Sequence, residues 1–364
     1  MKRRVSRMIL SHTGWGKASN FNSKRFDSFY SSMLLPSTSL FSSTLVLGTI
    51  LAVSRPNWLY TWIGLELNLL SFIPLITKTK SLQETEGAVK YFIVQATGRG
   101  LLLLGAFTST YYQLFSSNFS LRTLILSLRL LLKLGAAPIH WWIPQVISSF
   151  PWLLCLILST WQKVAPLLLL LTSTSLYSSK ILLTSSILGA LVGGVGGINQ
   201  SQIRTLLAYS SIGHLAWITR ALSIISVRVF SIYFFIYCAI TSLIIFLIHH
   251  SSQILRSIKA SINNLPASTF ASLSIILFSL GGLPPLLGFV PKWMVLLNLS
   301  SYYLLPLILL LIAGSLLNLF YYLRITFNFL LTPYIKYTSN YLSAPILSPT
   351  IIIIGGLISI IIII

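Results

Sequence analysis

Long apolar runs separated by short polar connections recur from about residue 34 to the C-terminal isoleucines. A membrane-spanning helix needs about 20 predominantly apolar residues. The pattern predicts about eleven spans, near 36–54, 57–77, 84–112, 120–140, 151–172, 180–198, 202–222, 226–250, 268–298, 302–328 and 346–364. The stretch Trp141 to Phe150 (WWIPQVISSF) is too short to cross and reads as interfacial or re-entrant. Two spans are interrupted in similar ways: the fourth by Gly135 and Pro138 after Lys133 (LLKLGAAPIHWW), the ninth by LGGLPPLLGFVPKW before and at Lys292. Proline removes a donor and frees a carbonyl, and irregular backbone at membrane depth survives only where protein or water satisfies it. Paired broken helices in two halves of a bundle point to inverted repeats around an ion path, with simple packing kinks as the alternative. The fold expected is an all-α polytopic membrane protein of about eleven helices, two of them broken, in an antiporter-like inverted-repeat bundle.

Composition sharpens this picture. Of 364 residues 55% are hydrophobic and only 8% charged, which excludes an ordinary soluble domain. The net charge of +21 comes from an N-terminal tail and short connections, without a nucleic-acid-binding motif, so the expected surroundings are a lipid bilayer and no nucleic acid. Placing the N-terminus inside gathers the tail's basic residues together with Lys78, Lys80, Arg204 and Arg324 on one side. Residues 1–33 form a basic, Ser-rich tail, and 34–364 form the helical bundle. The tail has the character of a mitochondrial transit peptide; a translation start near Met33 and a retained inner tail are the other readings. Cys155 and Cys238 lie in apolar segments with no ligand spacing, so no metal site is expected.

The charges left inside the spans carry the chemistry. Glu66 is the only acid within an apolar segment, while Lys90, Lys133, Lys163 and Lys292 lie inside or at breaks of others. Each costs roughly 2.5 to 3.5 kcal/mol near a bilayer centre, so five left unpaired would cost on the order of 12 to 18 kcal/mol. They must pair, hydrate or lose their charge. Burial disfavours a lysine's charged form and a nearby carboxylate restores it, so a row of one carboxylate and several lysines suits a proton relay. His140 and His214 are candidates to extend such a path, with satisfied structural histidines as the alternative.

Several segments then resemble one family. WLYTWIGLELNLLSFIPL (58–75), ETEGAVKYFIVQATG (84–98), LLKLGAAPIHWWIPQV (131–146), WQKVAPL (161–167), GGVGGINQSQIRTLLAYSSIGHLAW (193–217) and LGGLPPLLGFVPKW (280–293) are similar to the antiporter-like subunit 2 family of respiratory NADH:ubiquinone oxidoreductase, complex I. The related subunits 4 and 5 fit less well, since HWWIPQV lacks their second histidine and Lys292 stands where subunit 4 carries a glutamate. The resemblance implies a proton-translocating subunit of the mitochondrial inner membrane with no redox centre of its own. NADH and ubiquinone would be used by the whole complex, no cofactor would be bound by this chain, and the partners would be other membrane-arm subunits. It further implies that Glu66 modulates the first lysine, Lys90 lies on the following helix, Lys133 takes up protons, Lys163 relays them and Lys292 is terminal.

Some positions depart from the family. Arg99 stands where a small or apolar residue is usual, Arg129 lies one helical turn before Lys133, and Gln145 replaces a frequent glutamate. Arginine stays protonated and cannot relay protons, so Arg99 either pairs with lipid or a neighbouring subunit or changes the local electrostatics. A standalone cation/proton antiporter and a purely structural subunit with frozen ion pairs are the alternative functions.

Overall fold

The computed structural model describes residues 36–54, 58–78, 81–112, 119–173, 176–224, 226–258, 267–300 and 305–331; the N-terminal tail and the expected span at 346–364 lie outside them. All regular structure among these residues is helical: α1 (Pro36–Ser54), α2 (Trp58–Thr77), α3 (Leu82–Tyr112), α4 (Phe119–Leu134), α5 (Trp142–Ser149), α6 (Trp152–Ser159), α7 (Trp161–Thr172), α8 (Leu176–Ile198), α9 (Ile203–Ser223), α10 (Val227–Ile258), α11 (Ala267–Gly281), α12 (Phe289–Ser300) and α13 (Leu305–Leu331). Six described helical stretches are long and apolar enough to cross a membrane: α1, α2, α6 with α7, and the apolar parts of α8, α10 and α13. The chain is a multi-pass helical membrane protein.

Helix α9 shows why apolarity alone does not reveal every central helix. It carries His214, Thr219 and Arg220, yet every residue from Ser210 to Leu222 is buried. A helix surrounded by protein need not present an apolar face to lipid.

The interruptions have a definite backbone chemistry. Helix α4 ends at Leu134, where Gly135 takes φ 65°. Its N–H donates to Leu132 O at 3.1 Å, and the next N–H, of Ala136, donates to Leu131 O at 3.0 Å. Helix α11 ends in the same way: Gly282 has φ 85°, its N–H reaches Ser279 O at 3.0 Å, and Leu283 N–H reaches Phe278 O at 3.4 Å. Both are Schellman terminations, which need a left-handed residue and leave the last helical carbonyls open to other donors. At α4 one such donor is the Trp142 indole, which adds a bond of 3.1 Å to Leu132 O.

Side-chain packing carries the chain on through the first break. Gly105 of α3 faces Leu126 of α4, Gly98 faces Leu132, and Gly87 faces Ser149 and Phe150 at the end of α5. Thus α4 and α5 together run antiparallel to α3 over its residues 87–105, about 27 Å of helix, close to the hydrocarbon thickness. A third interruption falls inside the Trp152–Thr172 stretch, at Thr160 (φ −114°, ψ −72°), which separates α6 from α7. Elsewhere small residues allow close helix contact. A Cβ on Gly193 of α8 would fall 2.7 Å from Gly213 N of α9, so these two backbones touch without side chains between them.

Candidate functional site

Among the described residues, each of the three buried lysines sits at one of these helix interruptions. Lys133 is in the last turn of α4, Lys163 in the first turn of α7 and Lys292 in the first turn of α12. All are at most 9% exposed. The position has a physical logic, because an interrupted helix offers unpaired carbonyls and peptide dipoles at membrane depth where a buried amine otherwise has no partner. Lys292 uses this directly: its Nζ donates to Gly281 O, the last carbonyl of α11, at 2.6 Å. A cationic or amine donor at a helix C-terminus is favoured by the macrodipole as well as by the hydrogen bond.

Lys133 and Lys163 line one cavity, together with Tyr91, Trp142, Gln162 and Ser211. It gives about 10 Å³ to the centre of a water molecule, roughly the room for a single bridging water. On its far side, Lys163 Nζ donates to Tyr237 Oη at 3.1 Å and lies 5.0 Å from the centre of that ring. The Tyr237 ring is 5.2 Å from the His214 ring. His214 Nδ1 shares a hydrogen bond of 3.1 Å with Tyr233 Oη, the donor depending on the imidazole tautomer. His214 stands within electrostatic reach of both Lys163 and Lys292. A buried series of titratable groups therefore runs from Lys133 through Lys163, Tyr237 and His214 towards Lys292.

The acidic end is built differently from the simple carboxylate–lysine pair that the sequence suggests. Glu66 Oε1 accepts a charged hydrogen bond from Arg99 Nη1, so the unusual arginine is paired within this chain, between α2 and α3. Arg99 also lies over the Phe92 ring, 5.2 Å from its centre. Glu66 Oε2 is buried with no hydrogen-bond partner, and so is Nη1 of Arg129. Both Arg129 and Lys133 lie within electrostatic reach of Glu66. Two residues beyond Glu66, Asn68 Oδ1 accepts from Gln162 Nε2 at 2.7 Å, tying α2 to the start of α7.

Two sequence candidates stand apart. Lys90 is exposed on α3 and does not line the cavity. His140 is part-buried in the segment between α4 and α5, its Nδ1 3.1 Å from Pro138 O. Tyr237, Tyr233, Tyr91 and Gln162 are the polar groups that sequence reasoning passed over. Tyr233 and Tyr237 are spaced i, i+4 on a strongly apolar helix, which places both hydroxyls on one face. That spacing was the available signal.

Residues 55–320 match the family described as "NADH:quinone oxidoreductase/Mrp antiporter, TM". The chain belongs to this NADH:quinone oxidoreductase/Mrp antiporter family. It is 39% identical over 302 residues to NADH-ubiquinone oxidoreductase chain 2 of Lumbricus terrestris, covering 83% of this chain and 89% of that one. Against the protein of the same name from Varanus baritji it is 39% identical over 316 residues, covering 85% and 86%. A chain of respiratory complex I from Thermus thermophilus, solved with bound aureothin, superposes with a TM-score of 0.71 at 22% identity, covering 89% of this chain and 77% of that one. That likeness gives the antiporter-family fold. Glu66 pairs with Arg99, and Lys133, Lys163 and Lys292 each lie within one turn of a helix end.

Proposed function

We propose that this chain is the subunit 2 component of a respiratory NADH:ubiquinone oxidoreductase in the mitochondrial inner membrane, and that it translocates protons through the buried series of Glu66, Lys133, Lys163, His214 and Lys292. Kinship with chain 2 proteins over most of both lengths supports membership of that complex, and the other membrane-arm subunits are then its partners. Redox chemistry with NADH and ubiquinone belongs to the rest of the complex. On this reading the bundle has about eleven spans, with α4–α5 and α11–α12 as the two broken helices of an inverted repeat and the N-terminus on the matrix side.

The single observation that carries the relay is the shared cavity between Lys133 and Lys163, continued by the Lys163–Tyr237 hydrogen bond. A proton held by Lys133 passes by way of one water to Lys163. Tyr237, in ring contact with His214, then continues the buried polar groups towards Lys292. At an effective dielectric near 20, two charges about 8 Å apart interact by roughly 2 kcal/mol, enough to favour loading or unloading a neighbour by about 1.5 pKa units. Lys90, exposed on α3, acts at the rim of this route rather than within it.

The test is the proton-to-electron stoichiometry of the intact complex carrying Lys163→Met. Methionine keeps the length and apolar packing and removes the titratable group. The expected result is an assembled, NADH-oxidising complex that moves fewer protons per electron pair. Normal stoichiometry in this protein would overturn the relay.

A further inference from the structure

We propose that Glu66 is a two-position carboxylate, held on Arg99 of α3 in the arrangement described here and able to turn to Arg129 and Lys133 of α4, with the two arginines as positioning residues that set when Lys133 acquires its carboxylate partner. The inference rests on the relay reading above.

Its basis is the unequal treatment of one carboxylate. Oε1 is bound by Arg99, while Oε2 is buried and unpartnered. On the neighbouring helix Arg129 is 3% exposed and its Nη1 is also buried without a partner. A buried acceptor and a buried donor that each lack a partner are costly groups, and Arg129 lies where it feels the Glu66 charge, so bringing the two together would relieve both. Around Glu66, α1 offers no charged residue, α3 offers Arg99, and α4 offers Arg129 and Lys133. From α7 come the neutral Gln162, bonded to Asn68, and Lys163 beyond the cavity.

Both guanidiniums stay protonated, so neither takes a proton from the relay. What they do is divide the carboxylate's time. With Glu66 on Arg99, its negative charge is neutralised on α3 and Lys133 faces the fixed positive charge of Arg129. With Glu66 turned to α4, Lys133 gains a carboxylate neighbour and is favoured in its protonated form. Removing the Arg99 charge changes the ratio of the two positions by roughly 10- to 30-fold.

The experiment compares Arg99→Met, Arg99→Lys, Arg129→Met and Lys133→Met in the intact complex, solubilised, checked for assembly by its NADH-oxidising band and reconstituted into liposomes. Arg99→Met keeps much of the packing and loses the charge; it is expected to assemble and to lose part of the proton-to-electron stoichiometry, and Arg99→Lys to restore it. A purely structural role for Arg99 would leave stoichiometry intact in every assembled complex. Wild-type stoichiometry in Arg99→Met, or a loss that lysine does not restore, overturns the proposal. If Arg99→Met fails to assemble, Arg129→Met decides: it is expected to assemble and pump with reduced stoichiometry, and normal pumping overturns the switch. Lys133→Met separates the two readings. Pumping lost there but normal in Arg99→Met removes the switch and leaves the relay, whereas normal pumping in Lys133→Met removes the relay itself.

Discussion

Lys163 illustrates how a single buried amine is kept useful. It is 4% exposed, and the polar partner its Nζ meets is a phenol hydroxyl rather than a carboxylate. A carboxylate there would lock the ammonium in place, whereas a phenol accepts from the charged form and can donate to the neutral one, so the bond survives proton loss. Tyr237→Phe removes the hydroxyl while keeping the ring that packs 5.2 Å from His214. Hydrogen bonds to charged groups contribute about 1.5 to 3 kcal/mol, which predicts a roughly tenfold or greater slowing of proton passage through Lys163, with assembly unaffected. Proton uptake by liposomes driven with NADH measures it, and unchanged rates would remove Tyr237 from the route. The lysines themselves were legible in the sequence because a basic residue in an apolar run has so few tolerable explanations. Tyr237 was not, since a tyrosine in such a run is ordinary packing until a partner is seen. The Glu66–Arg99 pair was half legible: both residues were anomalous 33 positions apart, and only the packing of α2 against α3 joins them.

At the level of elements, the breaks matter more than the helices they divide. Gly135 and Gly282 hold left-handed φ values at the ends of α4 and α11, and each termination leaves carbonyls that Trp142 and Lys292 then use. A non-glycine residue in that region costs about 1 kcal/mol or more. At Gly135 an added Cβ would also collide with the Ile143 side chain, and at Gly282 it would lie 2.7 Å from Lys292 Nζ. Gly135→Ala is therefore expected to lower the yield and thermal stability of assembled complex, read by the temperature at which NADH oxidation becomes uncoupled from ubiquinone reduction. Gly282→Ala is expected to act on pumping as well, because the Lys292 amine must move from its carbonyl. Equal losses of stability with unchanged stoichiometry in both would contradict the role given to the Lys292–Gly281 bond. Clustered glycine and proline made the helix ends at Leu134 and Gly281 readable in the sequence. The break at Thr160 was not, because LCLILSTWQKV carries neither residue before the lysine. There the Thr160 hydroxyl and its own N–H both donate to Leu156 O, at 2.7 and 3.0 Å. Such back-bonding bends helices without any compositional flag.

The described bundle turns large apolar side chains outward on most of its outer helices. Its centre is helix α9, enclosed along residues 210–222 and bearing His214, while α1, α2 and α3 turn Leu47, Ile50, Leu59, Ile63, Ile93 and Leu104 outward. Those outward residues sit on the helices that also carry Glu66 and Arg99, so the acidic end of the series lies close to an apolar flank of the bundle. A charged pair so placed, with side chains 17% and 25% exposed, is shielded only if lipid or another apolar protein covers that flank. Membership of a larger complex provides such cover, whereas an independent transporter would have to rely on lipid alone. A native gel of gently solubilised inner membranes, stained for NADH oxidation and searched by mass spectrometry for this chain, separates the two. Co-migration with a large NADH-oxidising band is the expected outcome, and the pumping variants then have the assembly in which they must be measured. A small particle without that activity would instead leave the flank to lipid and make the Glu66–Lys292 series the ion path of a self-contained antiporter, testable by cation-driven proton exchange in liposomes.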